Sequence, residues 1–156
     1  MNLTPEAAVE KWLPLLEHAT DEVFEIMLKS KLDRGQPAPL TGVEFTAMVG
    51  LAGCVTGILS IHCCDQSATA VASAMLGMPS KEAAEHAWDG LGELANMIAG
   101  NFKNKLDGVA DKCLLSVPTV ISGADYSFRS LSDAPPIELW FRFHGKPLEV
   151  ALELHS

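Results

Sequence analysis

Basic residues are scarce: 11 Lys and Arg stand against 20 Asp and Glu, which leaves a formal charge of −9. Counterion release from a phosphate backbone cannot drive binding on such a balance. This argues against nucleic acid as a partner, and against an anionic membrane surface for the same reason. The start Met1-Asn2-Leu3-Thr4-Pro5-Glu6 lacks the basic segment and apolar run of a signal peptide. No apolar stretch reaches the length of a membrane span, so the expected compartment is the cytoplasm.

Cysteine pairs at metal or dithiol spacing are also missing. Cys54, Cys63, Cys64 and Cys113 contain no C-x-x-C. The run His62-Cys63-Cys64-Asp65 would, on a strand, send neighbouring side chains to opposite faces, so no metal site is expected and the thiols read as small buried groups. His18, His62, His86, His144 and His155 are scattered, and no Ser/His/Asp or Cys/His set emerges from their spacing.

What is present is enough apolar material for one core. Hydrophobic residues make up 48% of 156, and a single domain over 1–156 is the expectation. Thr4 and Pro5 open an amphipathic helix through Leu32, with apolar residues at Trp12, Leu15, Leu16, Ala19, Val23, Ile26 and Met27 and a bend expected at Pro14. Asp33 to Pro39 reads as a connector. Val43–Val49 and Cys54–Cys63 form a hairpin turning at Gly50-Leu51-Ala52-Gly53. Asp65 or Ser67 caps a helix that stops at Gly77, and Ser80 caps a long helix whose face is legible from Lys81 to Leu106.

Three strands follow: Leu114–Ile121, Glu138–His144 and Leu148–Leu154, the last two alternating apolar and polar around a turn at Gly145-Lys146-Pro147. The order α-ββ-αα-βββ indicates an α+β fold, an antiparallel sheet of five to six strands with helices on one face.

At 100° per residue the long helix places Ala84, Leu91, Leu94, Ala95, Ile98 and Phe102 on one side as core. Asp89, Glu93, Asn96, Gly100 and Lys103 follow the i, i+3/i+4 rhythm on the other, and Glu93 and Asn96 become neighbours aimed at solvent. Gly100 forfeits about 1 kcal/mol relative to Ala in a helix interior, and Asn is a weak helix former. A small residue admits another backbone, and an amide offers both donor and acceptor. The same polar face is also what an ordinary solvated helix presents.

The run Asp89-x3-Glu93-x2-Asn96-x3-Gly100-Asn101 resembles the signature of the CheC/CheX/FliY chemotaxis phosphatases. Leu115-Ser116-Val117-Pro118-Thr119-Val120-Ile121-Ser122-Gly123 is similar to the strand and turn that follow it there. The hairpin with Gly50, Gly53 and Gly57, leading into the helix that ends at Gly77, fits the same layout. The first helix has no E-x-x-N, and its run from Ala19 to Leu28 resembles the CheX branch.

The resemblance implies a homodimer and a CheC/CheX-like fold. It also implies hydrolysis of the phosphoaspartate on a CheY-like response-regulator receiver. In that reading Asn96 holds the attacking water and Glu93 pairs with the receiver's active-site Lys. Asp89, Gly100 and Lys103 border the contact. Asn101, one residue on from Gly100 and so toward the margin of the strip, reads instead as a structural tie from the helix to a neighbouring loop. The chain needs no cofactor of its own, because the receiver supplies Mg²⁺. The alternatives are an adaptor or flagellar-switch component that binds a phosphorylated receiver without hydrolysing it, and a structural dimerisation module.

Overall fold

The computed structural model describes residues 4–53, 55–106, 108, 110–124, 126–127 and 135–155. Its order is α1 (Pro5–Met27), β1 (Asp33–Arg34), β2 (Glu44–Gly53), β3 (Thr56–Cys64), α2 (Asp65–Leu76), α3 (Ser80–Ala83), α4 (Ala87–Asn104), β4 (Cys113–Leu115), β5 (Thr119–Gly123), β6 (Ile137–Phe143) and β7 (Lys146–His155). Seven strands form one antiparallel sheet in the order β1-β6-β7-β3-β2-β4, with β5 also paired to β2. The α+β architecture agrees with the expectation.

Strand alternation makes the core. Phe45, Ala47, Val49 and Leu51 of β2 point inward, as do Leu59, Ile61 and Cys63 of β3. From β6 come Ile137, Leu139, Phe141 and Phe143, and from β7 Leu148, Val150 and Leu152, all buried. Against them lie Leu16, Ala19, Val23 and Phe24 of α1, Ala68 and Val71 of α2, and one whole side of α4. The opposite sheet face is only partly covered: Thr46 is buried beneath Tyr126, whose hydroxyl shares a 2.6 Å hydrogen bond with it. On that face desolvation, helped by repulsion from Glu138, pushes the Glu149 carboxyl up to about 7.

Several boundaries differ from the sequence expectation. The first helix, capped by Thr4 Oγ1 accepting from Ala7 N, ends at Met27 rather than Leu32, and Lys29 takes a positive φ of 51°. The helix runs through Pro14, and its last turn leaves Ile26 and Met27 exposed while Phe24 and Leu28 take the core. Asp33 and Arg34, expected in a connector, pair with β6 as a short edge strand.

The β2–β3 pairing continues to Leu51↔Gly57, so Gly50, Leu51 and Ala52 are strand rather than turn. Cys54, expected to open the second strand, lies outside the described residues. Cys64, not Asp65 or Ser67, occupies the N-cap of α2, and Pro79, not Ser80, precedes α3. The β6–β7 reversal uses His144 and Gly145, at φ 51° and 75°, so Lys146 and Pro147 already belong to β7. Two consecutive positive φ values give a turn whose twist matches that of the flanking strands.

The expected long helix is broken. Residues 84–86 wind as a 3₁₀ turn between α3 and α4. Three residues per turn instead of 3.6 shifts the phase, so Ala83 and Ala87 are buried and Ala84 is exposed. Beyond the break, α4 lies close against α2. A Cβ on Gly90 would stand 2.8 Å from Cα and Cβ of Ala72, too near for either helix to stay in place. Gly90→Val is therefore expected to destabilise the fold by about 2 kcal/mol, within the range for overpacked cores. Chemical denaturation measures it, and an unchanged midpoint would show that the two helices separate freely.

Candidate functional site

The candidate site is a strip of α4, and its geometry follows from how the rest of the helix is held. Leu91, Leu94, Ala95, Ile98 and Phe102 have no exposed surface, and each large one contributes roughly 2 kcal/mol to pinning that side on the sheet. Gly90 meets α2. Gly92 meets β5 and the residues before it: a Cβ there would lie 3.2 Å from Val120 Cγ2 and 3.8 Å from Pro118 Cβ.

On the flank of Gly90, further along the helix, Glu22 of α1 reaches across. Its carboxylate accepts from Asn101 Nδ2 at 3.1 Å and pairs with Lys105 Nζ at 3.2 Å and His18 Nε2 at 2.8 Å. The hydrogen bonds from Asn101 and Lys105 hold this carboxyl below the usual range, because they favour the charged form. Asn101 thus ties α4 to a helix and not to a loop. Glu22 is the residue that sequence reasoning missed. Contacts between elements leave no local signature, although the acidic position in α1 was visible.

With three flanks occupied, one remains open. Glu93 is exposed there, and Asn96 and Gly100 are partly exposed on the same face. Residues three apart on a helix have Cβ atoms about 5–6 Å from one another, so the carboxylate of Glu93 and the carboxamide of Asn96 are close enough to reach one ligand. Asp89 lies toward the N-terminal end of the strip, its side chain 85% exposed and 3.9 Å from His86 Nδ1. Lys103 closes the C-terminal end, partly exposed. All five sequence-predicted residues therefore fall on one open strip. Asn96 is less exposed than the expectation of a solvent-directed amide.

Gly100 behaves unlike Gly90. A Cβ added to it would meet nothing within 4 Å, so the fold itself does not need glycine there. The expected outcome for Gly100→Ala is a gain of up to about 1 kcal/mol from helix propensity alone. Equilibrium denaturation tests this, and a loss of stability would mean that the helix requires glycine for its own packing.

The strip offers an anion, an amide and room, and it has no buried nucleophile. The reactive-looking thiol nearby, Cys63, is buried in the core, and that burial raises its pKa far from the thiolate range. Among the described residues no group of three or more His, Cys, Asp or Glu side chains could hold a metal ion. No helix among them is long and apolar enough to cross a membrane.

Comparison with known proteins identifies a family whose matched span includes α4. The family model "Chemotaxis phosphatase CheX" matches residues 45–142, a span that holds all of α4. The curated CheY-P phosphatase CheX of Thermotoga maritima is 32% identical over 101 residues, 62% of this chain and 65% of the relative, so the match spans a little under two thirds of that protein. A chemotaxis protein CheX from Desulfovibrio desulfuricans superposes with a TM-score of 0.75 at 26% identity, covering 93% of this chain and 99% of that one. The CheX of Borrelia burgdorferi, solved as a complex with CheY, BeF₃ and Mg²⁺, gives 0.74 at 25% identity over 94% and 99% of the two chains.

Proposed function

Since the chain belongs to the CheX family of chemotaxis phosphatases, we propose that it hydrolyses the phosphoaspartate of a CheY-type response-regulator receiver. In this reading Asn96 positions the attacking water and Glu93 pairs with the receiver's active-site Lys. The observation that carries the reading is the open strip of α4, where a carboxylate and a carboxamide one turn apart project from a helix whose other flanks are pinned.

An acyl phosphate is already activated toward water, so the chemistry asks chiefly for an oriented nucleophile. A carboxamide suits that task. Its oxygen accepts a hydrogen bond from water and its nitrogen donates one, without placing charge beside the phosphoryl oxygens. An unpaired carboxylate in the same place would repel them, and pairing with a cation of the partner removes that repulsion while fixing the angle of approach. The Mg²⁺ and Lys that neutralise phosphoryl charge belong to the receiver in this proposal, and no step runs through a metal held by this chain. Asp89, Gly100 and Lys103 border the contact, Gly100 by leaving space for the partner's backbone. A homodimer is part of the same reading.

Phosphate release from a phosphorylated receiver tests the assignment. Asn96→Ala is expected to lower turnover about 100-fold or more while leaving affinity for the receiver close to wild type, because water loses its orienting group. Glu93→Ala is expected to weaken affinity and turnover together, each by roughly tenfold. Undiminished turnover in the Asn96 variant refutes the catalytic role. Tight binding by the wild type without acceleration of phosphate loss assigns the chain to the adaptor reading instead.

A further inference from the structure

Asn96 stands between two anchors of α4 that differ in kind. Toward the N-terminus Gly90 abuts the backbone of Ala72, and toward the C-terminus the carboxylate of Glu22 on α1 takes hold of Asn101 and Lys105. Between them Leu94, Ala95, Ile98 and Ala99 keep the helix on the core. Apolar packing of that sort fixes depth and leaves the roll of a helix loosely set, because it is non-directional.

The C-terminal end has most need of a directional tie. Gly100 contributes no side chain, and past Asn104 the bonding shortens: Lys105 N donates to Phe102 O at 3.0 Å and Leu106 N to Lys103 O at 3.1 Å. End turns open locally at little cost unless something outside the helix holds them. Phe102 is buried and meets Trp12 of α1 with ring centroids 6.0 Å apart, which again sets depth.

Glu22 supplies the angle. Its donors, Asn101 Nδ2 at 3.1 Å and Lys105 Nζ at 3.2 Å, are one turn apart on α4, and two such points on one carboxylate define the roll of the end turn. The carboxylate starts from a fixed base, since Ala19 and Val23 beside it on α1 are buried. The Lys105 side chain is only 19% exposed, so salt screens this pair less than an open one. Asn101 lies about 140° around the axis from Asn96, which keeps Glu22 away from a partner seated on the strip.

The two members of the polar pair depend on this tie unequally. Glu93 is three residues from Gly90 and eight from Asn101, whereas Asn96 is six and five. A slackened end turn therefore disturbs Asn96 before Glu93. Resting on the phosphatase reading above, we propose that Glu22 is a positioning residue for hydrolysis: acting through Asn101 and Lys105, it sets the roll of α4 that holds the Asn96 carboxamide in line for water.

Three measurements well below the unfolding midpoint test this together. They are steady-state hydrolysis of a phosphorylated CheY-type receiver, titration of that receiver loaded with beryllofluoride and Mg²⁺, and amide hydrogen exchange of the free protein. Glu22→Ala is expected to lower kcat about tenfold with Kd within about twofold of wild type, and to speed exchange at residues 100–104 about fivefold. Glu22→Gln keeps an acceptor for Asn101 but not the charge that holds Lys105, and it recovers part of kcat. His18→Ala removes a partner on Glu22's own helix and keeps wild-type kcat. Wild-type kcat in Glu22→Ala overturns the positioning role, whatever the exchange shows. So does a rise in Kd with kcat unchanged, which gives Glu22 to the partner contact. A lowered kcat with exchange quickened throughout the chain, or not quickened at 100–104, overturns it as well, and so does an equal loss in His18→Ala, which places the effect in α1 alone. A wild type that binds and hydrolyses no receiver fails the phosphatase reading itself, and the positioning role falls with it.

Discussion

Everything the molecule can offer a partner depends on α4 being unable to turn about its own axis. A surface helix held by one apolar stripe can roll by a fraction of a turn at modest cost, and that would swing a polar pair away from its target. Here the helix is fixed on three flanks by different forces. Hydrocarbon from Leu91 to Phe102 meets the sheet, Gly92 abuts Val120 and Pro118, and on the remaining flank backbone approaches backbone at Gly90 and Ala72 while the Glu22 carboxylate gathers Asn101 and Lys105. Charge-assisted hydrogen bonds are directional, so the last of these resists rotation in a way that apolar packing does not.

Pre-organisation of this kind bears on rate rather than stability. A water held by a side chain on a rolling helix spends little time in line with the leaving oxygen, and small misplacements are costly in such reactions. A bulge at Ser116–Pro118, where the register on β2 slips by one residue between β4 and β5, extends the same principle to the neighbouring strand edge. Its two hydrogen bonds to Gly50 fix a segment that a plain edge strand would leave plastic.

Much of this was legible beforehand because periodicity is a local property. The strip Asp89, Glu93, Asn96, Gly100 and Lys103 and the buried side opposite follow from 100° per residue, and the β6 and β7 faces follow from alternation. The misreadings arise where tertiary contacts overrule the local pattern. Gly50 looked like a turn residue because glycine permits turns, whereas it serves to admit Ser116. Asp33 and Arg34 carry no strand signal and pair only because β6 offers its edge. The 3₁₀ turn at 84–86 moved Ala84 out of the core, and no residue in Ala84-Glu85-His86 announces it. The slip between β4 and β5 can be seen only when both strands are set against β2, and Glu22 gains its partners only across two helices.

The most direct measurement is the structure of this chain bound to a beryllofluoride-loaded, Mg²⁺-containing receiver. The account predicts α4 inserted at the phosphorylation site, with the Asn96 carboxamide within hydrogen-bonding reach of the position of in-line attack and Glu93 against the receiver's Lys. A complex formed through another surface, with Asn96 left in bulk solvent, would contradict it.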